Sequence, residues 1–180
     1  KNYKIEKAHI LFVVPDEEAT VHDKIYEYND KDETLLKDLI SAVYHHIKTL
    51  DFITTLLEQG KKVAVPRCEG GPSEMNFYYI NSLEELSSGS FGVLEPESNK
   101  EKMLTETENT ICIVPAFMFD KSGYRLGYGK GYYDRYLSRY KGSTIGICYS
   151  QNIKDELFHG KFDRTVDMIV TEKQIITTKE

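Results

Sequence analysis

The sequence has few of the features that mark several large classes of protein. Its three cysteines, Cys68, Cys112 and Cys148, are far apart and form no CxxC pair. We therefore expect reduced thiols buried in strands of a cytoplasmic protein, and neither disulfides nor a cysteine metal site. The longest apolar run, 111–119, is nine residues long and contains Pro115, whereas a membrane span needs about 20 apolar residues. We expect neither a membrane span nor a secretory signal.

Positive charge is also scarce. The 180 residues include 23 Lys and Arg against 29 Asp and Glu, which gives a net charge of −6. Because nucleic acids are bound mainly through basic surfaces, no nucleic-acid partner is expected. The length fits one domain, since domains usually hold about 100–200 residues. We therefore expect residues 1–180 to form a single domain.

The charges are distributed unevenly. Residues 14–38 hold nine acidic residues against three lysines, which is most simply a solvated helix face and loop. Residues 121–141 hold six basic residues against Asp134 alone, together with four of the twelve glycines and six of the thirteen tyrosines. This local excess of positive charge in an acidic protein makes 121–141 the first candidate for a ligand site.

Short β-branched runs alternate with segments of helical period, which predicts an α/β fold. Strands are predicted at 39–44, 62–66, 109–114, 144–149 and 166–171. Helices are predicted at 17–28, 49–59, 82–86, 132–140 and 152–157, and long loops at 69–81 and 88–108. Because strands joined through a helix pair in parallel, we expect a single three-layer domain with a mainly parallel sheet flanked by helices. Ligands of such sheets bind beyond the carboxyl ends of the strands, here 45–49, 66–78, 115–131 and 149–163.

The predicted strand at 109–114 leads into a glycine-rich loop. Gly127, Gly129 and Gly131 would let the backbone turn several N–H groups toward one point. The following helix would offer further free N–H groups in its first turn, where phosphates bind readily. Arg125 and Lys130 add positive charge. The alternative is a flexible glycine turn with solvated charges, because the pattern is neither a Walker motif nor GxGxxG.

Other polar residues near these strand ends are also candidates. Asp134 is the one carboxylate close to the loop, and magnesium beside a polyphosphate needs such a group. Arg67 follows the strand at 62–66 and would contact substrate or form a structural pair. The tyrosines at 128, 132 and 133 would line the pocket, whereas those at 136 and 140, at helical spacing, would pack in the core.

One stretch carries a specific pattern of residues. In order, it contains Val114-Pro115-Ala116, Phe119-Asp120, Gly123, Arg125-Leu126-Gly127, Gly129, Gly131-Tyr132-Tyr133-Asp134-Arg135 and Leu137. Supporting matches are the run 60–67, Met75 with Phe77, the turn 91–96, Gln151, Asp163 and Val166-Asp167. Together they resemble the 5-formyltetrahydrofolate cyclo-ligase (5,10-methenyltetrahydrofolate synthetase) family over about residues 39–172.

The resemblance implies an enzyme that uses ATP and Mg²⁺. The reaction cyclises 5-formyltetrahydrofolate, a reduced folate, to 5,10-methenyltetrahydrofolate with release of ADP and phosphate. ATP phosphorylates the formyl oxygen to an imidate phosphate, and N10 then attacks the activated carbon. We expect a cytoplasmic monomer whose partners are the folate and ATP.

The resemblance also implies residue roles. Catalytic roles fall to Arg125, Lys130 and Tyr133. ATP would be bound by Lys4, Lys7, Arg125, Leu126, Gly127, Tyr128, Gly129, Lys130, Gly131, Tyr132 and Tyr133. The folate would be bound by Lys48, Asp51, Arg67, Tyr128, Gly129, Lys130, Gly131 and Tyr132. Magnesium would be held by Asp134 and Asp163. The alternative for Lys4 and Lys7 is a solvated basic face, and for Asp163 a helix cap or surface acid.

Departures from the family pattern keep other functions open. Lys48 occupies the position of an acidic residue that receives the folate ring, unless a shift in alignment brings Asp51 there. In the stretch 158–163, Phe158 and Phe162 stand at the positions where the family pattern has Pro and His. One alternative is therefore a non-catalytic or regulatory protein that binds a nucleotide or a folate. The other is an ATP-dependent enzyme acting on a different formamide or amide.

Overall fold

The computed structural model describes residues 7–10, 49–90, 93–127 and 129–178. The strands are β1 Lys7–Ile10, β2 Lys62–Cys68, β3 Met75–Ile80, β4 Leu86–Ser88, β5 Leu94–Pro96, β6 Thr110–Pro115, β7 Met118–Asp120, β8 Arg125–Leu126, β9 Ser143–Ile147, β10 Ile153–Lys154, β11 Met168–Val170 and β12 Ile175–Thr177. The α-helices are α1 Thr49–Glu58 and α2 Tyr132–Leu137, and 3-10 turns lie at Leu83–Glu85, Lys100–Lys102 and Ser150–Asn152. Within these residues no helix has the length and apolar character needed to cross a membrane.

The main sheet has the strand order β12-β11-β9-β6-β1-β2-β3. Strands β1, β2, β6, β9 and β11 run parallel, whereas β3 and β12 are antiparallel to their neighbours. Two smaller sheets, β10-β7-β8 and β4-β5, lie beside it. The predicted α/β class is confirmed, and the antiparallel outer strands make the sheet mixed.

Strand β6 is central to the fold, and its sequence explains why. Its first five residues are buried, as expected for a strand covered on both faces. Side chains alternate between the two faces of a strand. Ile111 and Ile113 accordingly pack in one apolar cluster, while Cys112 and Val114 pack in another.

Each face of the sheet is covered by one of the described helices. From α1, Phe52, Ile53 and Leu56 recur at helical spacing and pack in the cluster that contains Ile113. The chain then turns at Gly60, whose φ of 71° suits glycine. On the other face, Tyr136 and Leu137 of α2 join the cluster that contains Cys112.

Several predicted elements are confirmed with shifted bounds. The helix predicted at 49–59 is α1, and the helix predicted at 132–140 is the shorter α2. The strands predicted at 62–66, 109–114, 144–149 and 166–171 correspond to β2, β6, β9 and β11. The elements predicted at 17–28 and 39–44 lie outside the described residues.

Other predictions were wrong. The segment 152–157 contains no helix, because Ile153 and Lys154 pair with β7 and the Leu157 N–H donates to Asp120 at 3.0 Å. Residues 82–86 form a 3-10 turn that leads into β4. The supposed loop 69–81 contains β3, which forms a hairpin with β2, and the supposed loop 88–108 contains β5. Strand β1 was not predicted at all.

Candidate active site

The glycine-rich loop follows β8 and ends where α2 begins. Gly129 and Gly131 have φ of 72° and 68°, and Gly131 immediately precedes the helix. Among the described residues other than Gly129 and its two chain neighbours, no atom lies within 4 Å of where a Cβ on Gly129 would stand. The backbone conformation, and not a lack of space, therefore requires glycine at position 129.

Arg125 and Asp134 form the central charged pair of the site. The Arg125 guanidinium donates through Nη2 to Asp134 Oδ1 at 2.8 Å and through Nη1 to the Arg164 carbonyl at 2.8 Å. The Arg164 N–H donates to the same Asp134 oxygen at 3.1 Å. The guanidinium carbon also lies 5.5 Å from the centre of the Tyr133 ring. These contacts bring together the start of β8, the first turn of α2 and the segment before β11.

The two predicted magnesium ligands lie on segments that touch. Asp163 Oδ2 accepts from the Gly160 N–H at 2.7 Å, so that carboxylate stabilises a local turn. Its neighbour Arg164 contacts Asp134 through the backbone. No group of three or more His, Cys, Asp or Glu residues that could hold a metal occurs in the described part of the chain. Magnesium commonly uses one or two carboxylates together with substrate phosphates, and Asp134 and Asp163 fit that mode and not an all-protein site.

Lys130 and Arg135 supply exposed positive charge at the same loop. Both side chains are exposed, and Arg135 Nη1 approaches the Lys130 carbonyl at 3.4 Å. Tyr133 contributes a neutral phenol, because burial raises its pKa well above the usual value. Its hydroxyl is buried without a hydrogen-bond partner among the described residues.

The carboxyl end of β2 forms a second part of the site. Arg67 donates to the Pro96 carbonyl at 2.8 Å and lies 3.9 Å from Glu95 Oε2. Glu95 is buried and accepts from the Cys68 N–H at 3.2 Å. Burial, reinforced by the Glu95 charge, raises the pKa of the Cys68 thiol, which also shares a hydrogen bond with Tyr132. Arg67 thus forms the structural pair that was one of its two predicted roles, at the edge of the glycine-rich loop.

The remaining predicted site residues lie on other elements of the fold or outside the described residues. Lys7 begins β1, where it pairs with Lys62 and Thr110 at the starts of β2 and β6, the amino end of these parallel strands. Asp51 is exposed in the first turn of α1. Lys4, Lys48 and Tyr128 lie outside the described residues.

Comparison with known proteins identifies the family. The model of the 5-formyltetrahydrofolate cyclo-ligase family matches residues 17–172. The chain belongs to this family. Relatives include the probable 5-formyltetrahydrofolate cyclo-ligase of Schizosaccharomyces pombe, 30% identical over 144 residues that cover 72% of this chain and 71% of that one. The mouse 5-formyltetrahydrofolate cyclo-ligase is 26% identical over 160 residues, covering 83% of this chain and 79% of the relative.

A solved cyclo-ligase structure shares the fold. The NMR structure of Aquifex aeolicus 5,10-methenyltetrahydrofolate synthetase superposes with a TM-score of 0.63 at 30% identity, covering 82% of each chain. The family predicted from residues 114–137 is therefore confirmed.

Sequence reasoning missed several residues that hold the candidate site together. Asp120 is buried and accepts from the N–H groups of Ser122, Tyr124 and Leu157. Its place in the Phe119-Asp120 pair of the family pattern was a usable signal, as was that of Glu95 in the turn 91–96. Arg164 acts through its backbone N–H and carbonyl, for which a side-chain pattern gives no signal.

Proposed function

We propose that this protein catalyses the ATP-dependent cyclisation of 5-formyltetrahydrofolate to 5,10-methenyltetrahydrofolate, with release of ADP and phosphate. One observation carries the proposal. The most specific part of the family pattern lies at 125–134, where a glycine-rich loop leads from β8 into α2 and Arg125 pairs with Asp134. The relatives named for this activity cover most of this chain.

The chemistry needs positioning and charge neutralisation. A formamide oxygen is a poor leaving group, and its phosphorylation by ATP gives an imidate phosphate from which N10 can displace phosphate. No protein nucleophile is required, so the protein's part is to orient the reactants and stabilise the negative charge on the transferring phosphoryl group. Exposed Lys130 and the loop N–H groups suit this task. Bound magnesium would neutralise phosphate charge, with Asp134 and Asp163 as the residues to hold it.

The individual binding roles are part of the proposal. ATP would lie along residues 125–133, where Tyr133 carries a buried, neutral phenol. The folate would lie between this loop and the carboxyl end of β2, where Arg67 pairs with Glu95 and the neighbouring Cys68 contacts Tyr132. Lys4, Lys7, Lys48, Asp51 and Tyr128 remain candidates from the family pattern.

The wider organisation is proposed as well. We infer one three-layer domain over residues 1–180, because α1 and α2 pack in different apolar clusters of one sheet. The acidic net charge of −6 and the small-molecule chemistry favour a cytoplasmic monomer without nucleic-acid or membrane partners. Light scattering on the purified protein tests the monomer, and a concentration-independent mass of two chains would contradict it.

The decisive experiment follows the methenyl product through its near-ultraviolet absorbance. Product is expected from 5-formyltetrahydrofolate only when ATP and magnesium are both present. Lys141→Ala serves as the control variant, because Lys141 pairs with Glu108 on the exposed surface. Binding of ATP and folate without turnover would instead support the non-catalytic alternative. That alternative is favoured by the altered segment 158–163, where Phe158 and Phe162 are 104% and 76% exposed. Turnover of another formamide alone would contradict the folate assignment.

A further inference from the structure

A polar pocket lies at the amino ends of two strands of the main sheet. It is lined by Thr144 in the first turn of chain of β9 and by Asp167 just before β11, whereas Arg67 and Cys68 of the candidate active site lie at the carboxyl end of β2. Its volume is about 230 Å³, and sites for drug-sized ligands usually hold about 300–1,000 Å³. The pocket therefore suits a ligand the size of a small ion, and not a nucleotide or a folate.

Arg164 supplies a positive charge at this pocket. Its side chain is exposed and forms no hydrogen bond or ion pair with any other described residue. Its backbone is held on both sides, because its N–H donates to Asp134 at 3.1 Å and its carbonyl accepts from Arg125 at 2.8 Å. The fold thus fixes the position of this residue and leaves the N–H donors of its guanidinium accessible to a ligand.

Three further polar residues complete the lining. Thr165 is half-buried, and its hydroxyl has no hydrogen-bond partner within the described part of the chain. Thr144 is only 6% exposed and donates to Asp167 Oδ2 through its N–H at 2.8 Å and through its hydroxyl at 2.9 Å. These bonds fix the Asp167 carboxylate at the pocket. Hydrogen-bond donors and a carboxylate acceptor therefore line the same small space.

This combination selects among small ions by their protons. A guanidinium binds phosphate and carboxylate oxygens, so Arg164 favours an anion and disfavours a metal cation. The Asp167 carboxylate repels an anion that has no proton, such as sulfate. An ionised carboxylate can only accept hydrogen bonds, and a ligand that carries a hydroxyl proton can supply one. Hydrogen phosphate has both features, because its ionised oxygens accept and its hydroxyl donates.

We propose that this pocket is a ligand site separate from the glycine-rich loop, and that it binds a small oxyanion carrying a hydroxyl proton, as hydrogen phosphate does. The ionised oxygens would accept from Arg164 and Thr165, and the hydroxyl would donate to Asp167. This inference goes beyond the proposed function, because the site needs neither a nucleotide nor a folate.

NMR titration of the nitrogen-15-labelled protein with inorganic phosphate, at pH 7 and constant ionic strength, tests the site. The amide signals of Thr144, Thr165 and Asp167 should shift and saturate, and sulfate should bind at least about tenfold more weakly. Arg164→Gln should raise the Kd for phosphate about tenfold or more. Lys141→Ala is the matched control, because it removes an equal charge from the exposed surface without altering the lining of the pocket, and its Kd should stay within about twofold.

Shifts confined to residues 127–132 would place phosphate at the glycine-rich loop and overturn the proposal. Equal losses of affinity in Arg164→Gln and Lys141→Ala would also overturn it, since general charge would then explain the binding. Sulfate binding as tight as that of phosphate would refute selection through Asp167. If Arg164→Gln does not fold, Thr165→Val decides together with the wild-type shifts: its Kd should rise about threefold or more, and an unchanged Kd would contradict the site.

Discussion

At the scale of single residues, charged side chains in one short segment have very different environments. Arg125 is 6% exposed and Asp134 is 23% exposed, whereas Lys130 is exposed to solvent. A buried charge is usually kept by partners that compensate its lost hydration. Arg125 and the half-buried Asp134 therefore belong to the framework of this segment, whereas Lys130 lies on its exposed surface.

Replacing Lys130 with Ala should weaken ATP binding. A hydrogen bond from a charged donor contributes roughly 1.5–3 kcal/mol, so a loss of that size is expected. Calorimetry with ATP measures it. Lys141→Ala is the matched control, because Lys141 pairs with Glu108 on the exposed surface at 3.0 Å. Equal ATP affinity in the wild type and in Lys130→Ala would place the phosphates elsewhere.

The three cysteines should differ in reactivity. Burial raises the pKa of Cys112 and of Cys148 to about 12, so both stay protonated near neutral pH, and the thiolate is the reactive form. Cys68 also has a raised pKa, but it is only partly buried. A coloured disulfide reagent at pH 8 should therefore label one thiol in the folded protein and all three after unfolding.

The variant Cys68→Ser identifies the reactive thiol. It should remove labelling of the folded protein and leave two thiols that react only in denaturant. Because each raised pKa reduces the thiolate fraction, labelling of Cys68 should accelerate as the pH rises from 7 to 9. Rapid labelling of folded Cys68→Ser would show that Cys112 or Cys148 is accessible.

At the scale of elements, the turn between β7 and β8 orients the start of the glycine-rich loop. Asp120 Oδ1 accepts from the N–H groups of Ser122 and Tyr124, and Oδ2 accepts from that of Leu157. Gly123 completes the turn with a φ of 91°, and a Cβ there would lie 2.6 Å from the Val166 carbonyl. The Phe-Asp and Gly positions of the family pattern therefore have a structural explanation, since they place Arg125 at the site.

Asp120→Ala should destabilise the fold by about 2–4 kcal/mol, because the N–H groups of Ser122, Tyr124 and Leu157 all lose their acceptor. Asp120→Asn keeps one carbonyl acceptor and should lose less. Urea unfolding measures both. Asp155→Ala serves as the control, because Asp155 forms an exposed ion pair with Lys121, and its unfolding midpoint should not move. An Asp120→Ala protein with the wild-type midpoint would show that the turn does not depend on the carboxylate.

The sequence predicted those elements whose pattern is local. Helix α1 has apolar residues at helical spacing and a glycine stop, and β6 is an uninterrupted apolar run, so both were found. Strand β3 was missed although its aromatic run Met75–Ile80 follows a Gly-Gly-Pro turn and is typical of a hairpin strand. Residues 152–157 were wrongly predicted as a helix. Their structure depends on contacts with β7 and Asp120, which lie more than 30 positions away in the sequence and leave no local signal.

The candidate site likewise combines local features that the sequence predicts with distant contacts that it does not. The loop 125–134 follows from glycine spacing, charge and the family pattern. The partners of Arg125 do not, because one of them is the backbone carbonyl of Arg164, which every residue possesses. Likewise, the pairing of Arg67 with the Pro96 carbonyl depends on how β5 packs beside β2, and sequence spacing alone does not contain that information.

At the scale of the whole molecule, the candidate site joins segments that are distant in sequence. Arg125 links β8 to residue 164, Asp120 links β7 to residue 157, and Cys68 at the end of β2 meets Tyr132 at the start of α2. A ligand that contacts these segments together would stabilise the folded state, because the unfolded chain cannot assemble them.

Magnesium and ADP should therefore raise the unfolding temperature. At a free ligand concentration of 100 times Kd, the stabilisation is about 2.7 kcal/mol. For a chain of this length that corresponds to a shift of about 5–11 °C. Scanning calorimetry measures the shift, and it should grow with the logarithm of ADP concentration. Lys130→Ala, at the same ADP concentration, should show a smaller shift than the wild type, because the Lys130 side chain is exposed and is proposed to contact the ligand. An unchanged unfolding temperature at saturating ADP and magnesium would contradict nucleotide binding across these segments, and an equal shift in Lys130→Ala would remove Lys130 from the site.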